Sequence, residues 1–148
     1  MEIRRYKHSD YNALIKLLGK VYGSKIDQET LEKHYVNSKC DILVAVESDS
    51  DSLVGCSFIE IKEDYVRPER IIYVTYVAVD EKFRHKGIGK MLIDKVEQMC
   101  CELECSAIEL TSANYRTGAH AFYDRLGFTK KKTTVFIKDV LPVLPHSN

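Results

Sequence analysis

The sequence predicts one α/β domain of the α+β kind, in which helices flank a mixed, mostly antiparallel sheet. Hydrophobic periodicity gives the element order βααβββαβαβ. A run of strands with short connections precedes a strand–helix–strand unit, and such a unit places its two strands parallel. The 148 residues, 45% of them hydrophobic, suit one core of ordinary size. We therefore expect the sheet to splay where the strand direction changes.

The first half of the chain predicts a strand, two helices and a hairpin. Ser9 and Asp10 can cap the first helix, whose apolar residues recur at helical spacing up to Val21. Two runs rich in apolar and β-branched residues follow and are joined by a polar turn, as in an antiparallel hairpin. The predicted ranges are residues 3–6 for the strand, 27–37 for the second helix, and 42–47 and 53–62 for the hairpin.

The second half predicts strands that alternate with helices. Residues 71–79 form a longer strand, and a helix starts at about Lys86, with Met91, Leu92, Val96 and Met99 on one side. The remaining predictions are a strand at residues 107–110, a helix at 118–126 and a last strand at 133–137. We expect the domain to cover residues 1–139, and residues 140–148, with Pro142 and Pro145, to be a short disordered tail.

Charge and hydrophobicity exclude several classes of partner. Lysine plus arginine equals aspartate plus glutamate at 22 each, so no global basic field attracts nucleic acid or an anionic membrane. No apolar run approaches the roughly 20 residues that span a bilayer, and the amino terminus lacks an apolar signal core. A cytoplasmic protein is expected, and any anion site must be local.

The five cysteines give no sign of a disulfide framework or a metal site. Their number is odd, and no Cys-x-x-Cys pair is present. Cys101 and Cys105 have helical spacing, but no further ligand completes a zinc-like set. We expect reduced thiols and no bound metal.

The segment Arg84-His85-Lys86-Gly87-Ile88-Gly89 lies where a strand passes into a helix. The first amides of a helix lack intrahelical partners, and they attract anions together with the helix dipole and three basic side chains. Glycine leaves the backbone accessible to phosphate oxygens. A pyrophosphate fits this pattern, whereas the glycine spacing excludes a P-loop and a dinucleotide fingerprint. The alternative is an ordinary strand–helix junction with a solvated basic face.

A second segment, residues 111–128, gives this junction a context. Arg84-x-x-Gly87-x-Gly89 is preceded by Val77-Ala78-Val79 and followed by Asn114 and by Ala121-Phe122-Tyr123-x-x-Leu126-Gly127-Phe128. This combination resembles the GCN5-related N-acetyltransferase (GNAT) family, over nearly the whole chain.

The resemblance implies the GNAT acyl-CoA N-acyltransferase fold, a V-splayed mixed sheet with acetyl-coenzyme A in its splay. It implies that the backbone of Val77, Ala78 and Val79 lies along the pantetheine arm and that Asn114 contacts this arm. The pyrophosphate would lie against the loop and first helical turn, formed by Arg84, His85, Lys86, Gly87, Ile88, Gly89 and Lys90. Tyr123 would stand near the coenzyme sulfur.

The chemistry implied is direct attack of an amine on the thioester, without an acyl-enzyme. Tyr123 is the candidate general acid, because a phenol of pKa about 10 is protonated at pH 7. Its alternative is a packing role. Histone-type members carry a glutamate near the position of Tyr73, so the base stays open among Glu60, Glu63, Tyr73, His120 and water. For His120 and Asn114 the alternatives are a structural hydrogen bond and a turn.

Three functions remain open. The first is acetylation of a small-molecule amine, the second is acetylation of a protein or peptide, and the third is a noncatalytic acetyl-coenzyme A sensor. The short chain favours the first. Residues 21–30 and the strand pair ending near Glu63 are expected to wall the acceptor site. The acidic side chains there would attract a cationic amine, or would form an ordinary charged surface: Asp27, Glu29, Glu60 and Glu63. A homodimer paired through an edge strand is also left open.

Overall fold

The computed structural model describes residues 1–141, which divide into two compact units. The first unit covers residues 1–113, and the second begins at Asn114. The prediction of one domain over residues 1–139 stays a prediction. The predicted tail lies outside the described residues from position 142 onward, Pro142 and Pro145 included.

The first unit contains five strands and three α-helices within residues 1–113. The strands are β1 (Glu2–Arg5), β2 (Cys40–Val46), β3 (Leu53–Asp64), β4 (Glu69–Val79) and β5 (Ala107–Leu110). The helices are α1 (Tyr11–Tyr22), α2 (Gln28–Tyr35) and α3 (Ile88–Glu102), with short 3₁₀ turns at His8–Asp10 and Glu81–Phe83. These elements match the predicted order up to β5.

The five strands form one sheet in the order β1-β2-β3-β4-β5. Neighbours pair antiparallel from β1 to β4, and β4 pairs parallel with β5 across the α3 connection. The predicted fold class, a mixed and mostly antiparallel open sheet flanked by helices, is confirmed.

The pairing of β4 changes along its length. β5 accompanies it only from Ile71 to Val74, so its last five residues, 75–79, continue beyond the parallel partner. On the β3 side, Phe58 faces Tyr76 and Ile59 faces Val74, which leaves Thr75 as the extra residue of a β-bulge. The carboxyl end of β4 is therefore paired with β3 on one side, and on the other side it extends past its pairing with β5.

Two hydrophobic clusters lie on opposite faces of the sheet. Successive residues of β2 show this division, because Ile42 packs with Leu14 and Leu31 of α1 and α2, whereas Leu43 packs with Leu92 of α3. All of these side chains are fully buried. Because both faces of β2 are covered by helices, nearly every residue of this strand is apolar and the polar–apolar alternation of a half-exposed strand is missing.

An ion pair joins β1 to the start of α1. The Arg4 guanidinium donates to both carboxylate oxygens of Asp10, at 2.7 and 2.9 Å, and the backbone N–H of Lys7 donates to the same carboxylate. The Arg4 hydrogen bond is the main cause that lowers the pKa of Asp10.

The second unit contains the helix α4 (Thr117–Arg125) among its described residues. Gly127, at a positive φ of 86°, follows the end of this helix. The predicted last strand at residues 133–137 is wrong, because these residues have no regular structure. Val135, Phe136 and Ile137 are 81%, 92% and 79% exposed. Their β-branched and aromatic composition predicted a strand, but a strand also needs a paired neighbour.

Within residues 1–141, no helix is long and apolar enough to cross a bilayer. The same residues hold no group of three metal-ligating side chains, and the five cysteines are free. Cys101 is exposed, while Cys56 is buried and burial raises the pKa of its thiol to about 12.

Candidate functional site

The candidate site is centred on the connection from β4 to α3. β4 ends at Val79, and Asp80 caps the following 3₁₀ turn by accepting from the N–H of Lys82. His85 and Gly87 then adopt positive φ angles of 61° and 79° before α3 begins at Ile88. A Cβ on Gly87 would meet nothing within 4 Å, so this glycine is required by its backbone angle and not by close packing.

The start of α3 presents backbone donors. The first intrahelical bond is donated by Met91 N–H to the Gly87 carbonyl at 3.0 Å, so the amides of Ile88, Gly89 and Lys90 precede the helical ladder. Gly87 supplies no capping side chain, and the first turn carries no acidic residue. These amides and the helix dipole therefore favour an anion at this position.

Basic side chains surround these amides, but they differ in their partners. Arg84, His85 and Lys86 are exposed, and the Lys86 ammonium lies 4.9 Å from the centre of the Phe83 ring. The Lys90 ammonium instead donates to both oxygens of Asp94, at 2.6 and 2.9 Å. The positive charge at the loop therefore comes mainly from Arg84 and Lys86, with His85 between them.

The carboxyl end of β4 presents a backbone edge beside the loop. Asp80 N–H donates to Val54 O at 2.8 Å, and antiparallel alternation then directs the backbone of Ala78 toward β3. The same alternation directs the N–H and C=O groups of Val77 and Val79 away from β3. Their carbonyls accept from the Tyr22 hydroxyl, at 3.0 Å, and from Arg84 Nε, at 3.4 Å.

The β5 side of the site is held by a side-chain contact. The Tyr73 hydroxyl lies 3.0 Å from Thr111 Oγ1, just beyond the last paired residues Val74 and Leu110. The Lys62 ammonium lies 3.8 Å from the centre of the Tyr73 ring. Tyr73 is thereby held between β3 and the residue that follows β5.

The carboxylates predicted to attract an amine do not form one group. Asp27 caps α2 by accepting from Thr30 N–H and Oγ1, and these bonds lower its pKa. Glu29 is exposed in the first turn of the same helix. Glu63 pairs with Arg70 at 3.0 Å and borders a 320 Å³ cleft at the β3–β4 hairpin, away from the α3 loop. Glu60 on β3 is paired with Tyr73 on the neighbouring strand β4.

A row of four aromatic rings is a feature that the sequence interpretation missed. Ring centroids of Tyr22 and Tyr76 are 5.2 Å apart, those of Tyr76 and Phe58 5.8 Å, and those of Phe58 and Tyr35 5.2 Å. We call these residues the aromatic row. They come from α1, β4, β3 and α2, so no local sequence pattern links them. The signal available was the presence of tyrosines at two helix ends and on β4.

The remaining predicted residues belong to the second unit. Asn114 is exposed, and His120 precedes Tyr123 by three positions on α4, which places them on one side of that helix. The Tyr123 ring contacts Phe122 at 5.2 Å and Phe128 at 5.6 Å. Burial raises the pKa of Tyr123, an effect that Arg116 partly offsets.

A family model supplies the deciding comparison, since the model of the acetyltransferase (GNAT) family matches residues 11–128. The chain belongs to this GNAT family. An uncharacterized N-acetyltransferase, CgeE, of Bacillus subtilis is 28% identical over 82% of the chain and 47% of its own length. N-acetyltransferase 8B of Homo sapiens is 26% identical over 76% of the chain and 49% of its own length. The GNAT chain thus spans about half the length of these relatives.

Solved structures show the same GNAT fold. An aminoglycoside acetyltransferase from an uncultured soil metagenomic sample, solved with sisomicin, superposes with a TM-score of 0.81 and 24% identity, and the match covers 95% of each chain. Glucosamine-6-phosphate N-acetyltransferase of Arabidopsis thaliana gives a TM-score of 0.77 and 23% identity, covering 93% of this chain and 97% of that one. At these identities the similarity concerns the fold.

Proposed function

We propose that this GNAT protein transfers an acetyl group from acetyl-coenzyme A to the primary amine of a small molecule, in the cytoplasm. One observation carries the proposal: the uncapped first turn of α3, and the three exposed basic residues just before it, follow the outward-facing backbone of Val77 and Val79 within about ten residues of chain. An anion site and a strand edge thus follow one another along a short stretch of the first unit. A coenzyme with a pyrophosphate and an amide-bearing arm has this combination of groups.

The residues around α3 would hold the pyrophosphate. The amides of Ile88, Gly89 and Lys90 donate to its oxygens, and the basic side chains of Arg84, His85 and Lys86 offset its charge. Gly87 sets the backbone angle that turns the loop into the helix. Asn114 is proposed to contact the arm of the coenzyme.

Val77 and Val79 would align the arm and the reacting carbonyl. Their N–H and C=O groups point away from β3, where the carbonyls accept from Tyr22 and Arg84, while Ala78 fixes the strand to β3 and to the core. A fixed N–H beside a carbonyl oxygen stabilises charge that develops there during attack. Acetyl-coenzyme A supplies the activated acetyl group as a thioester, and the strand holds it for direct attack in a ternary complex.

Tyr123 is proposed to donate the proton that the departing sulfur needs. Its raised pKa keeps the phenol protonated at neutral pH, which a general acid requires. The alternative is a packing role, since the ring already contacts Phe122 and Phe128.

A proton must also leave the amine, because an alkylammonium of pKa about 10.4 is only about one part in 2,500 neutral at pH 7. Among Glu60, Glu63, Tyr73, His120 and water, we favour Glu60 acting through water. Glu63 is paired with Arg70, and the Tyr73 hydroxyl is bonded to Thr111. Glu60 is half-buried and lies on the face of β3 that carries Phe58 of the aromatic row.

The experiment that tests this proposal measures free thiol and acetylated product together. The purified protein is incubated with acetyl-coenzyme A and a panel of polyamines, amino sugars, aralkylamines and peptides. We expect thiol release to equal the acetylated amine found by mass spectrometry. Turnover with peptides alone would favour the protein or peptide acetyltransferase. Tight coenzyme binding without turnover on any acceptor would favour the sensor.

A further inference from the structure

The aromatic row has a buried base and an exposed end. Phe58 is 3% exposed and packs within the α1–α2 face of the sheet, whereas Tyr22 and Tyr76 are each 41% exposed. Their two rings meet at 5.2 Å with an interplanar angle of 56°. An exposed pair of large rings on a packed base is a preformed apolar surface, and such surfaces typically mark ligand sites.

The exposed end lies at the strand edge that the proposed reaction uses. The Tyr22 hydroxyl donates to the Val77 carbonyl at 3.0 Å, and Tyr76 is the residue before Val77 on β4. An attacking nitrogen must come within about 3.5 Å of the reacting carbon. If that carbon is aligned by Val77 and Val79, the body of the acceptor must lie against Tyr22 and Tyr76.

The chemistry of this surface indicates the acceptor that it suits. Ring faces attract an ammonium group, and they bury an apolar stem without leaving polar groups unpaired. Glu60, two positions after Phe58 on the same face of β3, adds a negative charge nearby. The Tyr22 hydroxyl already donates to Val77 O, so its hydrogen is not available to bind a substrate hydroxyl.

We propose that Tyr22 and Tyr76 determine acceptor specificity and select a primary amine on a short apolar body, such as an aralkylamine, over a polyhydroxylated amino sugar. This inference rests on the proposed acetyltransferase function and names its substrate class. Tyr22 has two tasks: its ring forms the wall, and its hydroxyl fixes the ring against β4.

The test compares acceptors of similar size on the same enzyme. Phenethylamine and cyclohexylmethylamine carry an apolar ring, whereas glucosamine carries a hydroxylated one. We expect kcat/KM for the two apolar amines to exceed that for glucosamine by at least about tenfold, the size of discrimination that an apolar pocket provides.

Variants connect this preference to the two rings. Tyr22→Ala and Tyr76→Ala should each raise KM for phenethylamine by about tenfold, because an aromatic wall and its cation contact are lost. Tyr76→Phe keeps the ring and should reverse most of the rise in KM of Tyr76→Ala, whereas Tyr22→Phe also loses the hydroxyl that fixes its ring and should fall between the parent and Tyr22→Ala. Tyr65→Ala is the matched control, since Tyr65 is 88% exposed at the β3–β4 hairpin and should leave KM unchanged.

Calorimetric affinity for acetyl-coenzyme A reports whether each variant is folded, and it should stay within about threefold of the parent for the alanine variants. A preference for glucosamine, or alanine variants with unchanged KM for phenethylamine, would overturn the specificity role while thiol release still supports the acetyltransferase. Absence of turnover with every amine would instead overturn the proposed function, and the specificity role with it.

Discussion

Residues of the same type near the candidate site differ in what they can do because they have different partners. Lys90 is held by Asp94, so it contributes less free charge to the α3 loop than Lys86 does. The tyrosines near the site also differ in the partners of their hydroxyl groups. The Tyr22 hydroxyl donates its proton to a strand carbonyl, whereas the Tyr73 hydroxyl shares a hydrogen bond with the Thr111 hydroxyl. Chemical roles therefore depend on contacts that residue identity alone does not give.

Tyr123→Phe tests the proposed general acid. General acid catalysis typically supplies about 10²- to 10⁴-fold, so kcat should fall within that range while acetyl-coenzyme A affinity changes little. The ring contacts with Phe122 and Phe128 are kept, so the melting temperature should hold. Steady-state kinetics and thermal melting on one sample measure both quantities.

Tyr115→Phe is the matched control, since Tyr115 belongs to the same unit and is 72% exposed. It should change neither kcat nor the melting temperature. If Tyr123→Phe keeps kcat within about twofold when chemistry is rate-limiting, Tyr123 is not the acid and solvent protonates the sulfur.

At the scale of elements, local signals predicted most of the fold. The strand at residues 107–110 was placed without error, and the hairpin of β2 and β3 follows from its apolar runs and polar turn. The prediction of a strand at residues 133–137 was wrong, because amino-acid composition does not show whether a neighbouring strand is there to pair with it. The loop 84–89 could be predicted because its features, exposed backbone amides and a glycine with positive φ, depend only on neighbouring residues in the sequence. The aromatic row was not, because it joins four elements that are distant in sequence.

The link between β1 and α1 makes stability depend on pH. Asp10 has a lowered pKa, chiefly because of Arg4, so its contribution to folding is complete above its unfolded pKa of about 3.9 and is lost as the pH falls through the lower folded value. Asp10→Asn should therefore lower the free energy of unfolding by about 1–3 kcal/mol at pH 7. The difference should shrink below about pH 4.

Urea unfolding of parent and variant across pH measures this difference. Asp49→Asn, in the exposed turn between β2 and β3, is the control and should have little effect at any pH. A deficit for Asp10→Asn that stays constant down to about pH 2 would mean that the carboxylate charge does not stabilise this link.

For the molecule as a whole, the family and the anion site are supported by separate observations. Family membership rests on a match over residues 11–128, while the anion site rests on the geometry of the first unit alone. The two agree, since the loop that the motif predicted is the one with uncapped amides and a left-handed glycine. The acceptor was beyond sequence reasoning, because its proposed wall is made of contacts across the sheet.

Isothermal titration calorimetry measures whether the α3 loop binds the pyrophosphate of acetyl-coenzyme A. The double variant Arg84→Glu/Gly87→Asp replaces an attractive charge with a repulsive one and adds a side chain at a position of φ 79°. The exposed charge reversal Lys16→Glu on α1 serves as control. We predict that the parent and Lys16→Glu bind acetyl-coenzyme A alike and that the double variant loses nearly all affinity. Unchanged affinity in a folded double variant would mean that the pyrophosphate does not bind at this loop.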